Sequence, residues 1–310
     1  MLDDHHSHAA KFDHGVRAFA WVTGLNLAFA VIEAFYGWKT NSLSLLSDAL
    51  HNFGDVLGLV MALAAGLLAR REATQRHTYG WQRATLLSPL MNSLLLVGLS
   101  GALVFSAIQR FRIPVEIPGV TIMVVAAIGI AVNIISALFV RGGHGHGHAH
   151  GHEDLNRKGA YLHLLADAAV SLATVVTGFG VWKFGWQWLD PATSLLVTVF
   201  ILVSTYGLLR DSWNATMDAV PSHIDPLKVA AFIDQDPNIV SHHDLHIWSL
   251  GTETVALTAH VRSVENIHPD VVITGLQQGL RETFGIAHIT IQIENVTVCM
   301  NPDAPGRHAH

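Results

Sequence analysis

The chain has 310 residues, of which 50% are hydrophobic and only 14% charged, and its mean hydropathy is +0.37. Soluble domains carry about 25% charged residues, so the composition argues against a wholly soluble enzyme. Eighteen Lys and Arg against twenty-four Asp and Glu give a net charge of −6, which leaves no basic excess for nucleic-acid binding. The single cysteine, Cys299, rules out an internal disulfide and any cysteine-built metal cage.

Residues 1–15 form a polar N-terminal tail bearing His5, His6, His8 and His14, and they lack the short basic region of a cleavable signal. Six long apolar runs follow, at 16–38, 43–69, 84–109, 119–140, 159–182 and 191–209. Each has about 19 residues or more, enough at ~1.5 Å per residue to cross a ~30 Å hydrocarbon core. The third, fourth and sixth carry no charged side chain, so they lack the polar face that a soluble bundle requires. Residues 16–210 therefore read as a six-helix transmembrane domain of a multi-pass protein.

The basic residues orient it. Lys11, Arg17, Arg70, Arg71, Arg76, Arg83, Arg141, Arg157, Lys158 and Arg210 lie on one side, and Lys39, Arg110, Arg112 and Lys183 on the other. Ten against four places both termini in the cytoplasm. Trp38, Trp182, Trp186 and Trp188 then mark the outer boundary.

Between the fourth and fifth runs, the connection 141–158 holds His144, His146, His148, His150 and His152, alternating with Gly and Ala. Such a tract builds no core; it reads as a weak, fast-exchanging cytoplasmic metal collector or a polar spacer. From 211 to 300 the character changes. A helix is expected over Pro226–Gln235, a hairpin over 240–249 and 253–263 turning at Gly251, a helix over Pro269–Phe284 and a strand over His288–Val296. This αββαβ order describes a small cytoplasmic α+β domain. Residues 301–310 are expected to be a disordered tail.

Ionisable groups inside membrane helices are costly and mark function. The second run contains His51 and Asp55, and the fifth His163 and Asp167. In both, His-x-x-x-Asp puts the two side chains on one helix face. Facing each other, the pairs offer two imidazoles and two carboxylates, the ligand set of a closed tetrahedral zinc site. Their depths agree: both carboxylates fall ~18 Å from the outer boundary at ~1.5 Å per residue. Asp48 and Glu33 lie nearer that boundary, where a carboxylate reaches water. Asn26, Asn92 and Asn133 read as helix–helix hydrogen-bonding residues.

At this point the chain resembles the cation diffusion facilitator family of metal–proton antiporters over nearly its whole length. The resemblance rests on Ser47-Asp48-Ala49-Leu50-His51-Asn52-Phe53-Gly54-Asp55 and His163-Leu164-Leu165-Ala166-Asp167. It also rests on Thr78-Tyr79-Gly80-Trp81-Gln82-Arg83-Ala84, Leu189-Asp190-Pro191, His246-Ile247-Trp248 and Thr290-Ile291-Gln292-Ile293-Glu294. It implies that His51, Asp55, His163 and Asp167 are the transport ligands. It further implies a homodimer, and a metallochaperone-like cytoplasmic domain that supports dimerisation.

The His/Asp pattern is most similar to the zinc-preferring branch; cobalt, nickel and cadmium are the other cargoes such a site accepts. By the same resemblance His246, His260, His288 and Glu294 are candidates for a second, regulatory metal site, with His242, His243 and Asp244 nearby. The family often has Glu where this chain has Thr85, and a loop metal site there uses more than the single His77, so His77 reads as structural.

The implied function is export of a divalent ion from the cytoplasm in exchange for protons, in the plasma (inner) membrane of a bacterium. The alternatives are a membrane-bound metal sensor or store without translocation, and a membrane metalloenzyme. The last finds no His-Glu-x-x-His: His152-Glu153-Asp154-Leu155-Asn156 fails at its final position.

Overall fold

The computed structural model describes the backbone of residues 4–142, 152–265 and 267–294, and the side chains of 21–139, 161–265 and 267–294. Six long helices come first: α1 (Asp4–Thr40), α2 (Leu43–Ala69), α3 (Ala84–Arg112), α4 (Gly119–Gly142), α5 (His152–Phe184) and α6 (Leu189–Thr216). After them come α7 (Pro226–Asp234), β1 (Ile239–Ser249), β2 (Val255–Ser263), α8 (Pro269–Phe284) and β3 (His288–Glu294). The expected αββαβ order is present. Two compact units divide the chain, residues 1–61 with 92–207 and residues 62–91 with 208–310.

Among the described residues, α2 to α6 each contain a stretch long and apolar enough to cross a membrane. The sixth expected span lies within α1, whose 37 residues are long enough but whose described part, with Asn26, Glu33 and Lys39, is not apolar enough to count with the five. α1 and α5 also begin earlier than their apolar runs, at Asp4 and His152, because a helix once nucleated propagates through polar residues of adequate propensity. The connection between α4 and α5 thus shortens to 143–151, and His152 opens α5 rather than ending a loop. His144, His146, His148 and His150 lie outside the described residues, as does the 301–310 tail.

In the first unit the burial pattern is inverted relative to a soluble protein. Leu196, Val203 and Phe139 are exposed, whereas Glu33, Ser47, Asp48, Ser100, Ser171, Ser194 and Thr198 are fully buried. Helices that meet lipid outward must turn their polar groups to one another. Small residues let α4 and α5 approach closely: a Cβ added at Gly178 would stand 2.7 Å from the Met123 amide and 2.8 Å from the Gly119 carbonyl. α5 is held there, and it carries half of the intramembrane His/Asp set.

The start of α2 is tied to the start of α6. Asp190, itself buried, accepts hydrogen bonds from the Leu43 and Ser44 amides at 2.8 and 3.0 Å and from the Ser42 and Ser44 hydroxyls at 2.7 Å each. A carboxylate from one helix thereby caps the N-terminus of another, satisfying orphan amides and complementing the helix dipole. The Ser47 and Ser194 hydroxyls, 2.6 Å apart, extend this junction by one turn.

In the second unit β1 pairs antiparallel with β2, and β3 lies parallel on the other side of β2, in the order β1-β2-β3. The parallel pair requires a crossover, which α8 supplies. Val229 and Ile233 of α7, Leu257 and Val261 of β2, and Val272, Leu276 and Leu280 of α8 form the core with Ile247 and Ile286. Asp225 caps α7 ahead of Pro226, and Gly285 ends α8 at φ 69°, a left-handed conformation that suits glycine.

The α2–α3 segment belongs to this unit. His77 stacks on Trp81 at 4.1 Å, a packing role, and Arg83 pairs with Asp218 at 2.9 Å. The Thr85 hydroxyl accepts from the Thr252 amide at 3.1 Å and donates to the Gln82 carbonyl at 2.8 Å.

Candidate metal centre

The first unit brings His51, Asp55, His163 and Asp167 into one cluster. The two shortest contacts cross between α2 and α5, and a third runs along α5. His51 Nε2 lies 3.1 Å from Asp167 Oδ1, and His163 Nε2 lies 3.1 Å from Asp55 Oδ2 and 3.7 Å from Asp167 Oδ2. One ligand atom each from His51, Asp55 and Asp167 falls within 4.8 Å of the others. The two imidazoles meet edge to face at 6.0 Å, and Phe200 of α6 backs His51 at 5.9 Å.

A tetrahedral shell with bonds of ~2.0–2.1 Å has edges of about 3.3–3.4 Å, close to the 3.1 Å between each histidine and the aspartate of the other helix, and His51, Asp55 and Asp167 are the three whose ligand atoms all lie within 4.8 Å of one another. Magnesium and calcium require six or more oxygens and are poorly served.

Sequence reasoning treats all four side chains as buried, and here the structure differs. His51 and Asp167 are buried, but the side chains of His163 and Asp55 are 49% and 37% exposed. The cluster is thus closed around His51 and Asp167 and open around His163 and Asp55.

Asp48 and Glu33 do not reach water as their position in the sequence suggests. Both are fully buried. Asp48 Oδ2 accepts from the Ser171 hydroxyl at 2.8 Å, and Asn52 Nδ2 spans Asp48 Oδ1 and Glu33 Oε2 at 3.5 and 3.3 Å. Asp48 shares its helix face with His51 and Asn52, so packing rotates it inward with them. Sequence reasoning gives Ser171 no role and Asn52 only a place in the family motif, although each stands four residues beyond a singled-out aspartate, the helical repeat that signals a shared face. Phe200 carried no such signal. Of the three asparagines, Asn26 accepts from Ser136 at 3.5 Å, while Asn92 Oδ1 and Asn133 Nδ2 are buried without a partner among the described residues.

In the second unit the expected set of His246, His260, His288 and Glu294 breaks up. His260 Nδ1 lies 3.1 Å from Glu294 Oε1, and His243 Nε2 lies 3.4 Å from Glu294 Oε2. His243, His260 and Glu294 form the compact group.

A β-bulge explains the exchange of His243 for His246. β1 pairs His243 with His260 and His246 with Thr258, so two residues of β1, including Asp244 at φ 53°, oppose one of β2. His246 instead contacts Asp244 at 3.0 Å, and Asp244 reaches His260 at 3.7 Å. Glu294 pairs with Arg262, diagonal to His260 on the same face. His288 pairs with Ala256 at the far end of β3 and meets Tyr79 at 5.3 Å. Six residues, about 20 Å at ~3.3 Å per residue, separate it from Glu294.

Comparison with known proteins agrees with this architecture. The chain matches the cation efflux transmembrane domain over residues 20–215 and the cation efflux protein cytoplasmic domain over residues 221–296. A cadmium, cobalt and zinc/H(+)-K(+) antiporter of Bacillus velezensis is 32% identical over 323 residues, covering 100% of both chains. The metal cation efflux system protein CzcD of Cupriavidus metallidurans is 33% identical, covering 96% of this chain and 92% of that one. The zinc transporter ZitB of Escherichia coli is 32% identical, covering 96% and 94%. The chain belongs to the cation diffusion facilitators, the cation efflux family of multi-pass membrane proteins.

Proposed function

We propose that this chain exports a divalent metal ion, zinc foremost, from the cytoplasm in exchange for protons. The observation that carries the reading is the crossed pair of 3.1 Å His–Asp contacts between α2 and α5, two helices apolar enough to span a membrane. His51, Asp55, His163 and Asp167 are the transport ligands. The two carboxylates cancel the charge of a divalent ion, so the loaded cluster is near neutral in a low-dielectric setting. Departure of the metal leaves those charges unpaired, and protons then occupy the ligands the metal vacates. Alternate exposure of one such site to the two sides turns competition into exchange. The chemistry is transport, not catalysis, and a store or sensor without translocation is disfavoured because the relatives are named as antiporters and efflux proteins.

Cobalt and cadmium, named among the cargoes of one relative, and nickel accept the same nitrogen-plus-carboxylate shell. His243, His260 and Glu294 hold a second, regulatory zinc at the cytoplasmic domain. The protein works as a homodimer, with the transmembrane domain over 16–210, the cytoplasmic domain over 211–300 and both termini in the cytoplasm.

Proteoliposomes holding the full-length chain test this reading. Zinc flux is expected to drive, and be driven by, protons moving the opposite way. Lowering the pH on the loading side is expected to weaken apparent zinc affinity and raising it to strengthen it, because protons compete with the metal for the same imidazoles and carboxylates. Zinc flux without proton flux would contradict the exchange.

A further inference from the structure

Besides Asp190, which caps α2, Glu33 and Asp48 are the buried carboxylates among the described residues that the metal cluster does not use. Both are fully buried, and Asn52 bridges them through one amide nitrogen. Three of their four oxygens have a donor, at 2.8, 3.3 and 3.5 Å, while Glu33 Oε1 is buried with no hydrogen-bond partner among the described residues. Two adjacent carboxylates without a cation between them cannot both stay ionised away from water. Around the pair, α4 offers no charged residue among its described side chains (119–139), and the other titratable groups whose fields reach Asp48 are His51 of α2 and Asp167 of α5. Those two belong to the metal cluster.

We propose that Glu33 and Asp48 form a proton-binding site of their own, and that a divalent ion arriving in the neighbouring cluster expels the proton held there. The unpartnered Glu33 Oε1 is where that proton resides, and Asn52 and Ser171 hold the remaining oxygens. A metal ion fits less well, since a hard cation gathers six or more oxygen ligands and three of these four oxygens already accept hydrogen bonds. The coupling is electrostatic: Asp48 stands one helical turn from His51, so two added positive charges in the cluster favour the ionised pair. Linkage makes the effect reciprocal, the protonated pair weakening metal binding. The inference rests on the metal–proton exchange proposed above, and it assigns one exchanged proton to groups that never touch the metal.

The test counts protons released when zinc binds purified full-length protein in weakly buffered detergent solution. Glu33→Gln and Asp48→Asn are each expected to release about one proton fewer per zinc than the wild type. The same wild-type count in both variants would overturn the inference. Absence of any release from the wild type would instead overturn the exchange itself. Should neither variant assemble, infrared spectroscopy of the zinc-free wild type decides: a buried carboxylic-acid C=O band that disappears on zinc addition is the expected result, and no such band is the contrary one. A count that changes when potassium is replaced by a large organic cation would mean the pair holds an alkali cation, and would likewise overturn the assignment.

Discussion

Zinc flux through Asp167→Ala is expected to fall at least ~100-fold while the protein remains folded. Outer-shell partners of metal ligands are typically worth 10–100-fold, and Asp167 lies closer than that. It reaches both imidazoles, at 3.1 and 3.7 Å, and is buried. Its removal leaves one carboxylate to balance a divalent charge in a site where charge is poorly screened, and on that closed flank no water replaces the lost oxygen. His163→Ala should be milder, because the side chain is half exposed and a water can take its place. Flux per folded protein in proteoliposomes, with gel filtration as the folding control, checks both. Undiminished flux in Asp167→Ala would remove that residue from the ligand set.

Asp190→Ala is expected to cost about 3 kcal/mol or more of stability. The change leaves two amides and two hydroxyls without their acceptor in a buried junction, where each unsatisfied group costs ~1–3 kcal/mol and a lost cap alone costs ~1. Asp190→Asn keeps one acceptor oxygen and should recover part of the loss. Thermal unfolding in detergent reads the difference as a lower Tm, alanine below asparagine below wild type. Flux should fall as well, because the first turns of α2 set the position of His51. An unchanged Tm in Asp190→Ala would mean that the junction does not hold α2.

Five of the six apolar spans and the two His-x-x-x-Asp faces were legible because hydropathy and helical periodicity are local, whereas the early starts of α1 and α5 in polar sequence were not. The matching depths of Asp55 and Asp167 could be reckoned from helix rise alone, and these two carboxylates do meet one pair of imidazoles. The rotation of one helix about its axis relative to the next was not legible, since it depends on packing. For that reason Asp48 and Glu33 seemed close to water, although they are buried against each other's partners. Asp190 stood out only as part of a family motif, and nothing local showed that it caps a helix 146 residues away. In the cytoplasmic domain the strands were legible but the bulge at Asp244 was not, and one extra residue exchanged His246 for His243 beside His260.

Zinc K-edge X-ray absorption is the most direct test of the central claim. It would use the full-length chain with His243, His260 and Glu294 replaced by alanine, so that the cytoplasmic cluster is silent, and with one zinc retained per chain. Four light-atom ligands at ~2.0–2.2 Å, two of them imidazole, are expected, and this shell should vanish when Asp55 and Asp167 are also replaced. A six-oxygen shell, or the same spectrum after both aspartates are gone, would contradict the account.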